Sequence, residues 1–139
     1  MNKENSKQVN WKEKTEEYWK SVLTPEQYKV LRESGTEKAF TGAYWDSKDN
    51  GVYRCAACGQ ALFASETKFE SGTGWPSFYD TLNPEAIKLV EDNTFFMSRT
   101  EVRCASCDSH LGHMFDDGPS DKTGKRYCIN STALEIDKN

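Results

Sequence analysis

Five cysteines are the residues of this chain with the most chemistry to offer, and their spacing divides them four and one. Cys55 and Cys58 form one CxxC pair, Cys104 and Cys107 a second, and Cys128 stands apart in Arg126-Tyr127-Cys128-Ile129-Asn130. Two such pairs read as one tetrahedral thiolate zinc site. Tyr53-Arg54 precedes the first pair and Val102-Arg103 the second, so both read as a strand, an arginine and then a turn. The pairs lie farther apart than in a compact ribbon, so the ion is expected to join two sheets. Four thiolates leave no open coordination position, which makes such a metal structural and necessary for folding. Two redox CxxC motifs fit less well, because a thioredoxin-type motif needs a βαβ context that the pattern lacks.

Cys128 is left as a free thiol, a candidate nucleophile on a metal-braced scaffold. Its run has strand character, and alternation would put Arg126, Cys128 and Asn130 on one face. A nearby guanidinium favours the reactive thiolate, and the Asn130 amide can donate to a ligand oxygen. A lone cysteine is also often an inert buried one. The two histidines of the chain favour the reactive reading. His110 and His113 sit together in His110-Leu111-Gly112-His113-Met114-Phe115-Asp116-Asp117, just after the second cysteine pair, and imidazole suits proton donation near neutral pH. A second metal at this HxxH would have only Asp117 or Cys128 as a further ligand. In Ser71-Gly72-Thr73-Gly74-Trp75-Pro76-Ser77-Phe78, two glycines and a proline make a tight, rigid loop. Trp75 and Phe78 on that loop can wall a small apolar pocket.

The elements that must position these groups are legible in outline. Asn10 with Glu13, and Thr24 with Gln27, fit capping boxes, with Pro25 as a first helical residue and Gly35 as a stop. This predicts a helical arm over about 10–35, lined by Trp11, Tyr18, Trp19, Tyr28 and Leu31, that packs on the domain. From about Gly51 short strands alternate with turn clusters: Val52 to Arg54, Ala61 to Phe63, Thr94 to Arg103, and Tyr127 to Ile136. Asn83-Pro84-Glu85 starts one short helical turn, and 116–119 and 121–124 read as loops. The fold class is α+β, mainly β: antiparallel sheets with helices at one end.

With 139 residues, the chain suits a single domain over 1–139, made of the arm and a zinc-braced β core over about 51–136. A net charge of −4 lacks the basic footprint of nucleic-acid binding. Met1 to Asn10 is polar, with no export signal, and nothing has the length of a membrane span, so a reducing cytoplasm is the expected compartment and no membrane partner is expected.

Taken together, Cys55-Ala-Ala-Cys58, Gly72-Thr-Gly-Trp75-Pro-Ser-Phe78, Cys104-Ala-Ser-Cys107, His110-Leu-Gly-His113 and Arg126-Tyr-Cys128-Ile-Asn130 resemble the B-type methionine sulfoxide reductases. Leu23-Thr-Pro-Glu-Gln27 and Gly35-Thr36-Glu37 fit the same pattern. The resemblance implies two antiparallel sheets held by the zinc, and reduction of the R epimer of methionine sulfoxide, mainly in proteins. It makes Cys128 the nucleophile and Trp75 the contact for the substrate methyl group. His110, His113, Asp117, Arg126 and Asn130 would surround the reacting centre. Many relatives carry a resolving cysteine where this chain has Thr73. With the other four cysteines on zinc, a Cys128 sulfenic acid would be reduced directly by thioredoxin or a small thiol. A monomer is expected. Two other readings compete: a zinc-braced binding module in which Trp75 and Phe78 form an aromatic cage, and a zinc hydrolase using the HxxH.

Overall fold

The computed structural model describes residues 10–93 and 98–139. The polar lead over 1–9 and the first four residues of the strand expected from Thr94 lie outside the described residues.

Thr15 caps α1 (Glu16–Val22) by accepting the Tyr18 N–H, and Thr24 opens α2 (Pro25–Glu33) with a reciprocal capping box to Gln27 and Pro25 in the first turn. Asn10 behaves differently from the expectation. It caps a single 3₁₀ turn, Trp11–Glu13, by accepting from the Lys12 N–H. The left-handed residue that ends α2 is Ser34, at φ 59°, one place before the expected stop. Gly35 follows it and donates its N–H to the Lys29 carbonyl at 2.9 Å. Trp19, Tyr28 and Leu31 are buried, and Trp11 and Tyr18 pack against that core.

Nine strands run among the described residues: β1 (Gly51–Cys55), β2 (Ala61–Ala64), β3 (Lys68–Phe69), β4 (Ser77–Phe78), β5 (Ile87–Asp92), β6 (Arg99–Cys104), β7 (His110–Phe115), β8 (Arg126–Ile129) and β9 (Leu134–Lys138). They form a three-stranded sheet, β2-β1-β9, and a six-stranded sheet, β3-β4-β8-β7-β6-β5. Every pairing is antiparallel. The run expected as one strand from Tyr127 to Ile136 divides. A 3₁₀ turn at Ser131–Ala133 hands the chain from β8 in the large sheet to β9 in the small one. The burial pattern explains the break, because Ile129, Asn130 and Ser131 are buried in succession and period-two alternation is lost.

Aromatic side chains fasten the two sheets. Phe63 stacks on Phe78 at 4.5 Å between ring centroids, Tyr53 meets Phe78 edge-on at 5.2 Å, and Tyr127 lies 5.8 Å from Phe63. Each fully buried phenylalanine contributes about 1.5–3 kcal/mol. Phe78 is fully buried in this column, so its expected place as a pocket wall is corrected. Residue 78 lies in β4, opposite Tyr127 and facing the small sheet's aromatics, and is a core residue.

The two CxxC turns repeat one hydrogen-bonding scheme. Gly59 and Asp108, both left-handed, donate their N–H groups to the carbonyls of Cys55 and Cys104, each at 2.8 Å. Cys55 N–H donates to Gln60 O, and Cys104 N–H to Ser109 O, each at 2.9 Å. Ala56 and Ala105 then donate to Ala133 and Ala86, the last residues of two 3₁₀ turns. Because β1 belongs to the small sheet and β6 to the large one, the knuckles bring four sulfurs together between the sheets.

Candidate active site

Cys55, Cys58, Cys104 and Cys107 place their sulfurs within 4.8 Å of one another. Cys55 Sγ lies 3.7 Å from Cys107 Sγ, and Cys58 Sγ 3.5 Å from Cys104 Sγ. A tetrahedral ion with Zn–S bonds of about 2.3 Å holds its sulfurs about 3.8 Å apart, so the donor set and its size fit zinc. Hydrogen bonding from Cys104 draws the Cys107 and Cys58 thiols down, while bonding within the cluster and burial drive Cys104 and Cys55 up. Arg32 of α2 donates to the Cys107 carbonyl and to Ser109 Oγ, both at 2.9 Å, so the helical arm braces the second knuckle directly.

Cys128 lies outside this cluster. In the large sheet, Glu101, His113, Cys128 and Ser77 are successive partners across β6, β7, β8 and β4, and so share one face in one row. Along β7 and β8, Phe115 and Arg126 pair in the next row on that face. A cavity of about 120 Å³ opens there, lined by Thr36, Trp75, Arg99, Gly112, His113, Phe115, Cys128 and Asn130. Pockets for drug-sized ligands run to roughly 300–1,000 Å³, so this one suits a single side chain. A larger groove of about 700 Å³ runs beside α2 and residues 36–44, but neither cysteine nor histidine lines it.

The loop over 71–76 holds Trp75 at the rim. Gly72 and Gly74 take φ of 77° and 88°, values open to glycine and strained for other residues. The indole N–H donates to the Glu37 carbonyl at 3.0 Å, and the Glu37 N–H donates to Asn130 Oδ1 at 2.9 Å. One residue of the chain's N-terminal part thus fixes two of the cavity walls. Asn130 also gives one amide hydrogen to the Leu111 carbonyl at 3.0 Å, which leaves its second for a ligand.

The Cys128 thiol is pushed up by burial and drawn down by the Arg126 charge and by a hydrogen bond from Thr73. Arg126 is aimed by two partners. It makes a two-pronged ion pair with Asp117, at 2.8 and 3.2 Å, and its guanidinium lies 4.4 Å over the Phe115 ring. Asp117 is exposed and does not line the cavity, so it reaches the thiol only through Arg126.

The histidines separate. His113 lines the cavity, with Nε2 at 2.9 Å from Asp92 Oδ2. His110 is only 5% exposed and stands behind it, with ring centroids 5.5 Å apart and Nδ1 at 2.7 Å from Glu101 Oε2. Burial pushes the His110 pKa down, against the pull of Glu101. Thr36, Asp92, Arg99 and Phe115 are the site residues that sequence reasoning missed. Phe115 follows from alternation once β7 is known, being two residues past His113, whereas Asp92 carries no local signal.

The SelR domain family model matches residues 23–138. The chain is 62% identical over 126 residues to the peptide methionine sulfoxide reductase MsrB of Methanosarcina mazei, covering 91% of this chain and 89% of that protein. It is 58% identical over 124 residues to the MsrB of Synechococcus, covering 89% and 90%. To the chloroplastic reductase B1 of Oryza sativa it is 53% identical over 124 residues, covering 89% of this chain and 58% of that protein.

Proposed function

Because the chain belongs to the SelR domain family, whose relatives here are peptide methionine sulfoxide reductases, we propose that it reduces the R epimer of methionine sulfoxide in oxidised proteins at Cys128. The observation that carries this reading is the single small cavity in which a free thiol, an imidazole and an indole meet: Cys128, His113 and Trp75.

A sulfoxide is a weak electrophile until its oxygen is protonated. The substrate's methyl group rests on Trp75 and Phe115, and its oxygen points toward His113. The Cys128 thiolate attacks the sulfoxide sulfur as His113 gives a proton to the oxygen. Such a proton transfer contributes about 10²–10⁴ in rate. Oxygen passes to the cysteine sulfur, the methionine sulfur gains two electrons and leaves as a thioether, and the Cys128 sulfur loses two and becomes a sulfenic acid. Thiolate, sulfoxide and one proton thus yield sulfenic acid and methionine. Two thiol equivalents, from thioredoxin or a small thiol, then return Cys128 to a thiol and release water and a disulfide. Thr73 cannot act as a resolving thiol.

The four-cysteine cluster holds a structural zinc that joins the sheets and supplies no chemistry to the turnover. No helix among the described residues is long and apolar enough to cross a membrane. We take the enzyme to work as a monomer in the cytoplasm. Assaying separate R and S methionine sulfoxides, free and peptide-bound, with and without thioredoxin, tests the proposal. Turnover of the R epimer alone is expected; equal use of the S epimer, or none of either, refutes it.

A further inference from the structure

His113 reaches the cavity with one ring nitrogen already engaged. Its Nε2 lies 2.9 Å from Asp92 Oδ2. The same carboxylate oxygen takes Arg99 Nη2 at 3.3 Å, and Asp92 and Arg99 are direct partners across β5 and β6. His113 and Asp92 are only 14% and 17% exposed, so water competes weakly for their bond. Asp92 does not line the cavity itself. It is a fixed acceptor behind the imidazole, held from the side by a guanidinium.

An imidazole that gives its Nε2–H to a carboxylate keeps Nδ1 for any exchange with substrate. His110 has the opposite arrangement. Its Nδ1 faces Glu101, and its Nε2 is buried without a hydrogen-bond partner among the described residues. The two histidines are thus turned by two carboxylates in opposite senses, and only His113 lines the cavity.

Resting on the reading of Cys128 as the nucleophile, we propose that Asp92 is a positioning residue for the reaction. With Arg99 holding it, Asp92 accepts the His113 Nε2–H and sets the ring orientation that turns Nδ1 toward a sulfoxide oxygen beside Cys128, so that the ring takes up its catalytic proton at Nδ1 and gives it from there as an imidazolium. A carboxylate behind a histidine fixes tautomer and orientation in this way in metal sites and in hydrolase triads alike. Losing it leaves the imidazole free to rotate and aim its Nδ1–H away from that oxygen, which lowers kcat without removing a contact to substrate.

The test is ¹⁵N NMR of histidine-labelled full-length enzyme, with steady-state kinetics of Asp92→Asn, His113→Gln and the double variant. At a pH where the rings are neutral, His113 of the parent is expected as the Nε2–H tautomer and His110 as the Nδ1–H tautomer. In Asp92→Asn, the His113 resonances should shift to a tautomer mixture, and kcat should fall ~10–100-fold with KM unchanged. Adding Asp92→Asn to His113→Gln should cost no more than about twofold further, because the carboxylate acts only through the ring. A parent spectrum in which the neutral His113 ring carries its proton on Nδ1 overturns the proposal even if the variant fails to fold. An unchanged kcat in Asp92→Asn, or full multiplication of the two losses in the double variant, overturns it as well. A parent inactive on methionine sulfoxide removes the underlying reading too, whereas an active parent with an indifferent Asp92 removes this proposal alone.

Discussion

His113 and Cys128 are direct partners across the β7–β8 ladder. No loop separates the imidazole from the thiol, so their spacing is set by the sheet, the stiffest part of the fold. The same ladder explains why Arg126, two residues before Cys128, stands on the same face. Sheet geometry places the imidazole, the sulfur and the cation together, and the 71–76 loop closes the space over them.

The thiolate is the attacking form, and burial makes it scarce by raising the Cys128 pKa, with Arg126 opposing. A raised pKa means that the thiolate fraction at pH 7 is small and grows as pH rises. Alkylation of Cys128 by iodoacetamide should therefore accelerate from pH 7 to pH 9. Arg126→Ala removes a contribution that lowers the pKa, so its alkylation profile should move to higher pH. Stopped-flow or mass-spectrometric alkylation rates check this; superimposable profiles would show that the guanidinium does not act on the sulfur.

Thr73 donates toward the Cys128 sulfur. A thiol in its place would lie within reach of a Cys128 sulfenic acid. Thr73→Cys should therefore form an internal 73–128 disulfide after one turnover without reductant, while the parent forms none. Non-reducing peptide mapping reads the outcome. An internal disulfide in the parent would show that one of the zinc-site cysteines resolves the intermediate.

Gly112 of β7 pairs with Ile129 of β8. A Cβ built on it would sit 2.0 Å from the Cys128 carbonyl oxygen and 2.9 Å from Ile129 Cα. Backbone atoms in a ladder cannot move aside as a side chain can. Gly112→Ala should cost about 3 kcal/mol, at the upper end for overpacking. That corresponds to a Tm roughly 10 °C lower for a chain of this size. A Tm within about 2 °C of the parent would mean that the strands part more easily than their register implies.

Removing the metal should unfold the enzyme rather than switch off its chemistry. The four sulfurs tie β1 of one sheet to β6 of the other, and His110 begins β7 three residues after Cys107. Chelation under reducing conditions is expected to lower Tm and abolish activity in parallel, with one zinc released per chain. X-ray absorption on the native protein should show only sulfur neighbours. Full activity after complete zinc loss would contradict a structural metal.

Much of this site could be read from the chain because its parts are local. The CxxC pairs, the HxxH run, the glycine-rich loop and the strand around Cys128 each carry their signal within a few residues. Alternation predicts Arg126, Cys128 and Asn130 on one face; Cys128 and Asn130 line the cavity and Arg126 does not, and Asn130 stands just past the end of β8. The failures come from pairing, which no single segment encodes. Phe78 had the right chemistry for a pocket wall, but its register opposite Tyr127 turned it into the core. Asp92 lies 21 residues from His113 and meets it only because β5 pairs with β6 and β6 with β7. The break between β8 and β9 was hidden because both halves favour strand, and only the run of buried residues at 129–131 betrays it.

The central claim is that Cys128 itself takes the oxygen. The most direct measurement mixes reduced, zinc-loaded enzyme with an excess of the R sulfoxide and no reductant, then counts methionine and maps added oxygen by mass spectrometry with a sulfenic-acid trap. One methionine per chain, one oxygen on Cys128, and neither in Cys128→Ser is the expected result. Methionine formed by Cys128→Ser, or an oxygen on any other residue, would contradict the account.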